Sequence, residues 1–361
     1  MEDAREKTAR HRLLLGITNV GFWVVASLVG LWWFTSAPGL AVGLTELFCG
    51  LLCTVVAQSV FDWLGGAVLI PGAGAGANGF PTRWARAAIA HTTLLASTGV
   101  LLFWSHRWFG SFCPGVAVCS VVLALGRPRV LQLLTGVRLK ASSLGDTFCW
   151  SAGSKDPAFT GGVCGYGRSA VIVIPASWQR DLTGAQADTV RVRRLSEIQY
   201  GLPARAFLAA TVWNLAGCWT GTFLFGLHSI PTERALLMHG LWMTVWGFFG
   251  LLLLPSASRG AVFFLDRAAA SKGCDVADWI RKFPEITGED GSSKTLVQRV
   301  FYPIPSADER LRGLDQVPAQ PVFGNVARTN LYLSLATLTI LGRCVHCNVG
   351  RPELWVFAPS D

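Results

Sequence analysis

The sequence predicts a mainly α-helical, polytopic membrane protein that carries a hydrophilic domain with a small β-sheet. Three observations lead there. Of 361 residues, 51% are hydrophobic and only 15% charged, too little charge for a wholly soluble chain. The apolar residues are collected into long runs. The basic residues alternate between loops rather than spreading evenly.

The runs come in order. Residues 1–12 are polar and basic. About 22 apolar residues follow, Leu13 to Phe34, enough to cross a bilayer at 1.5 Å per residue. A second run covers roughly 39–64 and a third about 87–104. Between them, the glycine-rich stretch Pro71–Pro81 reads as a loop. A fourth run, about 112–126, stops at Arg127-Pro128-Arg129. Two more, about 204–226 and 235–254, form a hairpin, and a last run near 329–342 is a helix packed on the domain or at the interface.

Four regions result: a membrane region of about four spans at 1–126, a first part of the hydrophilic domain at 127–202, a membrane hairpin at 203–255, and the second part with the C-terminal tail at 256–361. Arg5, Lys7, Arg10 and Arg12 precede the first span, Arg83 and Arg86 follow the second, and Arg127, Arg129, Arg138 and Lys140 follow the fourth. This asymmetry puts the N-terminus and the hydrophilic domain in the cytoplasm. The net charge of +9 reflects these loops, because no basic patch carries the interleaved aromatics of a nucleic-acid platform. Compact loops and inward charges suit a bacterial inner membrane, with membrane lipid as the first partner. The first apolar run is too long for a cleavable signal. The ten cysteines lie partly within apolar runs and read as small hydrophobes.

The hydrophilic domain holds the informative residues. Gly167 leads into Val171, Ile172, Val173 and Ile174, a β-branched run preceded by turn glycines and read as a strand. Thr183 is a plausible N-cap for a helix that carries Arg193, Arg194 and Glu197. Residues 182–198 read Leu-Thr-Gly-Ala-Gln-Ala-Asp-Thr-Val-Arg-Val-Arg-Arg-Leu-Ser-Glu-Ile. After the hairpin comes Ser258-Arg-Gly-Ala-Val-Phe-Phe-Leu-Asp-Arg, and later Phe301-Tyr-Pro-Ile-Pro-Ser-Ala-Asp-Glu-Arg-Leu-Arg-Gly-Leu.

In this order, around a membrane hairpin, these segments resemble the M48 membrane metallopeptidases, the group of the CAAX prenyl proteases and heat-shock membrane proteases. The resemblance covers about 130–315 and implies a cytoplasmic, zincin-like helical domain. It also implies that 171–174 is the edge strand on which an extended peptide pairs.

The chemistry of that family is missing. It needs two His four apart on one helix face, with a Glu beside the first as general base. Those positions fall on Arg193, Glu197 and Arg194. The third ligand falls on Val262, and the family's later His falls on Tyr302. The second-shell Asp is retained as Asp266. Arginine offers no lone pair to a metal.

The resemblance therefore implies a pseudo-protease without catalytic residues, metal or cofactor, which binds or regulates a peptide, a membrane protein or a sibling protease. Arg193 and Glu197, four apart, can pair along the helix. Asp266 can pair with Arg193 or Arg194 in place of a metal cross-link, or the arginines can receive a peptide carboxylate. Two other readings stay open. One is an active zinc endopeptidase with an altered ligand set that includes Glu197. The other is a transporter or lipid-handling protein that uses Glu46, His91 and His239; Glu46 and His91, near span ends, are expected to pair or snorkel.

Cys344-Val-His-Cys347 fits no common zinc spacing and reads as structural. Trp355 and Phe357 read as anchors for the C-terminal tail. His11, His106 and His228 are expected to be solvated.

Overall fold

A computed structural model describes residues 2–37, 39–69, 80–154, 156–287, 302–316 and 320–358. Most of the glycine-rich loop, residues 71–79, and Phe301 lie outside them. Five helices are long and apolar enough to cross a membrane. These are α1 (Glu2–Ser36), α2 (Leu44–Trp63, continued by a wide turn to Val68), α3 (Phe80–Phe109), α4 (Cys113–Thr135) and α8 (Thr232–Ala270). Short segments α5 (Trp178–Asp181) and α6 (Gly184–Gln199) precede the remaining long helix, α7 (Leu202–Phe225).

α7 was expected as a span but is not among the five. Asn214 and the hydroxyls of Thr211, Thr220 and Thr222 dilute its apolar run. It is nevertheless the hairpin partner of α8, and its outer face exposes Leu208, Val212, Trp219 and Phe223. Its inner face carries Gly217 and Gly221, which admit the rings of Trp246 and Trp242. The indole N–H of Trp242 donates to the Gly217 carbonyl at 2.7 Å, and that of Trp246 to Trp213 at 3.0 Å. Those bonds satisfy groups that would otherwise be costly in apolar surroundings.

α4 does not stop at Pro128. It runs on to Thr135 and ends at Gly136, a left-handed glycine (φ 71°) that accommodates the helix end. Burial of Val130, Leu131 and Leu134 outweighs the hydrogen bond lost at proline. α8 is 39 residues long, about 58 Å at the helical rise, nearly twice a hydrocarbon core. Its second half therefore extends past the apolar layer and carries Arg259, Asp266 and Arg267 into the polar domain.

That domain contains a four-stranded mixed sheet of order β1-β2-β4-β3: β1 (Leu139–Leu144), β2 (Thr147–Ala152), β3 (Gly162–Cys164) and β4 (Val171–Pro175). β4 is not an edge. It pairs in parallel with β2, Ile172 facing Cys149, and antiparallel with β3, Ile172 facing Val163. Ile172 and Val173 thus have sheet neighbours on both sides, Val171 on the β3 side and Ile174 on the β2 side, so 171–174 is an inner strand and not the edge expected for peptide pairing. Among the described residues the edges are β1 and β3. One sheet face, with Cys149, Ile172 and Ile174, packs on Trp178, on Val190 of α6, and on Trp279 and Phe283 of α9 (Val276–Thr287).

The C-terminal third is a chain of short helices: α10 (Ala307–Gly313), α11 (Val326–Leu333), α12 (Leu341–Cys344) and α13 (Pro352–Val356). The apolar run near 329–342 is broken by a tight turn at Ser334–Thr337, and nearly every residue from 326 to 358 is buried. Trp355 (5% exposed) and Phe357 (1%) are anchored inside.

If α7 and α8 cross the membrane as a hairpin, their connecting turn lies opposite the sheet. In sealed vesicles, with Cys49 and Cys53 replaced, an impermeant maleimide should label Ser229→Cys and Ser143→Cys from opposite faces. Labelling of both from one face would show that the hairpin does not cross.

Candidate functional site

The N-terminus of α6 is fixed by a capping box. The Thr183 hydroxyl accepts from the Gln186 N–H at 3.3 Å, and the Gln186 side chain accepts from the Thr183 N–H at 3.1 Å. This start orients Arg193 and Arg194 inward, where both are buried. α6 crosses the polar half of α8, and there Asp266 is held from two sides. Arg310 of α10 donates through Nε to Oδ2 and through Nη2 to Oδ1, both at 2.8 Å. Arg193 brings its Nε to 3.0 Å from Oδ1. Asp266, Arg193 and Arg310 are 1%, 1% and 2% exposed. One carboxylate therefore ties three helices together, and its two oxygens are occupied by guanidinium groups.

The expected Arg193–Glu197 pair does not form. Arg193 turns to Asp266, and Glu197 instead meets Arg194 one helical turn away, at 3.2 Å. Arg194 also reaches the Thr160 carbonyl at 3.5 Å. Val262 is buried in α8, one turn before Asp266, and offers only a hydrocarbon surface. Tyr302 lies apart from this cluster: its ring stacks at 4.7 Å from His346, and its carbonyl accepts from Arg259. Sequence reasoning missed Arg310 as the partner of Asp266, although the capping box at Ser306 that starts α10 was visible as Ser-x-x-Glu.

These residues do not fit a divalent metal. Arg193, Arg194 and Val262 supply no donor atom, and Asp266 already faces two cations that would repel a third. Among the described residues, no group of three His, Cys, Asp or Glu side chains is arranged to hold a metal ion. In the C-terminal Cys-Val-His-Cys stretch, Cys344 contacts Gln58 Oε1 and the Ile340 carbonyl, Cys347 contacts Asn348, and the His346 ring faces Tyr302.

Beside α6 lies a small polar cleft of about 50 Å³. The β3 segment from Gly161 to Tyr166 lines it, as do Arg194 and Glu197 of α6, together with Arg127 and Arg328. Gly161 (φ 68°) closes on the Val173 carbonyl, too near for any side chain, and so brings β3 against the helix. β3, not β4, is the strand edge that faces α6.

The ionisable residues predicted within spans have other duties. Glu46 is exposed and caps its own helix, its carboxylate accepting from the Gly43 N–H at 2.8 Å. It does not meet His91. His91 lies 3.3 Å from Arg343, whose guanidinium also pairs with buried Asp62 and stacks 4.1 Å from the Trp355 ring. His239 is buried and stacks on Phe112 at 4.4 Å. His106, expected in solvent, is buried against the other side of the same ring and bonds the Leu227 carbonyl at 2.9 Å.

A second charge cluster fastens the C-terminal tail. Arg351 pairs through two nitrogens with Asp156, and Arg127 donates to the Val356 carbonyl at 3.1 and 2.7 Å. Burial pushes the Asp156 carboxyl up, but the Arg351 guanidinium outweighs it and holds the group below its usual value. Glu353 goes the other way. Burial and the Asp156 charge raise it to about 7, against weaker pulls from its own backbone, Arg83 and Arg351.

Replacing Asp266 by Ala leaves two buried guanidiniums without their carboxylate. This should cost about 3–5 kcal/mol and lower the melting temperature clearly. Combining D266L with R193M and R310M should recover most of the loss. An unchanged melting temperature in D266A would remove the cluster as a cross-link.

The raised Glu353 gives a pH test. The folded protein keeps a proton that the unfolded chain releases near 4.5. The associated stability is full below that pH and is lost as pH rises through about 7. Relative to wild type, Glu353→Gln should therefore gain melting temperature progressively from pH 5 to 8, while the His346 contribution, which has the opposite sign and ends near 6.5, is common to both proteins. The Asp156 contribution is lost only on further acidification and does not overlap this window.

No protein-family model matches the chain, and no curated protein matches it.

Proposed function

We propose that this chain is an integral membrane pseudo-protease: a cytoplasmic zincin-like domain, built like that of the M48 metallopeptidases but without their metal chemistry, that binds a polypeptide segment. The observation that carries the reading is the Asp266 cluster. Where a metallopeptidase would join its active-site helix to the helix after the hairpin through a metal, Arg193 and Arg310 converge on one carboxylate. An ion-pair cross-link does the structural work of a metal while supplying no Lewis acid and no activated water.

Binding is supported by the cleft beside α6. β3 is an edge of the sheet, and Arg194 lines the cleft beside it; a peptide carboxylate would take the place of Glu197 on the Arg194 guanidinium, which requires the cleft to open. The altered-ligand protease reading loses support, because Glu197 is taken up by Arg194 and the Cys344–Cys347 stretch faces other partners. The transport reading loses its proposed relay, since Glu46, His91 and His239 each sit in a separate local arrangement.

Elemental analysis of the detergent-purified protein should find zinc at less than about a tenth of an equivalent, since tight structural or catalytic sites hold near one. A chelator-removable equivalent would overturn the pseudo-protease reading. A fluorescent, β-forming hexapeptide with a free C-terminal carboxylate should bind, and lose about tenfold in affinity in Arg194→Gln. Equal affinity in wild type and variant would take the cleft out of the reading.

A further inference from the structure

A larger cavity, about 320 Å³, lies away from the cleft, between α1, the middle of α8 and the start of α11. Its walls are faces of two candidate membrane spans: Ile17, Val20 and Gly21 from α1, with Phe248, Leu251 and Leu252 from α8. Such walls place its mouth against lipid tails rather than water.

The end nearest the polar domain is different in kind. Arg328 and Asn330, one turn of α11, reach it beside His346 and Tyr302. Both are 7% exposed. Asn330 Oδ1 has no hydrogen-bond partner, and because an ionised carboxylate has no proton to give it, only the guanidinium of Arg328 favours an anion at this end. Burial and the nearby arginines hold His346 down to about 3, so its ring is neutral at physiological pH. Arg328 is then the permanent charge among the lining residues.

We propose that this cavity is a binding site for a single-chain anionic amphiphile, a long-chain fatty carboxylate that enters from the bilayer. The chain lies along the α1 and α8 walls, and the carboxylate end lies at Arg328. Three features select that chemistry. The long apolar wall buries hydrocarbon. A guanidinium at one end matches a carboxylate. A volume at the low end of the small-molecule range holds one chain rather than two. The site does not depend on the pseudo-protease reading, because none of the Asp266 cluster lines it.

The test is native mass spectrometry of the full-length protein released from detergent, with oleate or oleyl alcohol added. Oleate should bind saturably, at about one per chain. Gly21→Phe fills the cavity; nothing lies within 4 Å of a Cβ added there, so the variant should fold, and it should abolish binding. Arg328→Gln should weaken oleate by about tenfold and leave oleyl alcohol unchanged. Oleate retained equally by wild type and Gly21→Phe would overturn the proposal, whether or not the Arg328 variant folds.

Discussion

The polar half of the molecule depends on a single buried carboxylate. Asp266 sits on the part of α8 that emerges from the apolar bundle, and without partners its charge would be very costly there. Arg310 meets both of its oxygens in one plane, and Arg193 approaches from the opposite helix. The consequence is geometric as much as energetic. α6 carries one wall of the cleft and packs on the sheet, α10 comes from the segment after the bundle, and α8 connects both to the α7–α8 hairpin. Lysine would serve poorly in place of Arg310, because a point charge cannot reproduce the two-pronged contact.

The C-terminal segment is the second keystone, and it works in the opposite direction. α12 and α13 bring charged side chains back against the apolar bundle. Arg343 reaches Asp62 of α2, and Arg12 of α1 donates to the carbonyls of Gly65 and His346 at 2.8 and 3.0 Å. Each of these cations lies in a site from which water is largely excluded, so each has a carboxylate or carbonyl partner. The tail therefore acts as a wedge between spans and domain. The cleft inherits its rigidity from that wedge, since Phe357 forms part of its lining and Arg127 is locked between Val356 and the Phe357 ring.

Much of this was legible in the chain. Runs of apolar residues located α1 to α4 and the α7–α8 hairpin, because crossing a bilayer requires length and hydrophobicity and little else. The cap at Thr183 followed from local spacing. What spacing could not provide was the partner of each buried charge. Arg193 has Glu197 one turn away, yet it pairs with Asp266, 73 positions distant, because its position on α6 points at α8 rather than along its own helix. The strand at 171–174 was legible as a strand, but whether it lay inside or at an edge depended on where 147–152 and 162–164 paired. Helix α4 passed its proline because the residues beyond it had a core to enter, which no local signal records.

Arg328 lies between two of the molecule's cavities. It lines both the cleft beside α6 and the apolar cavity between α1 and α8, so its charge lies on the boundary between a small polar cleft and a lipid-facing pocket. A guanidinium in that position cannot be indifferent to what fills either side. An anion at the pocket end would draw it away from the cleft, and a carboxylate in the cleft would compete for the same donors. By linkage, each occupant would then alter the affinity for the other by the same factor. Neither effect needs movement of the helices, because the Asp266 cluster and the C-terminal wedge hold the frame while one side chain redistributes its hydrogen bonds.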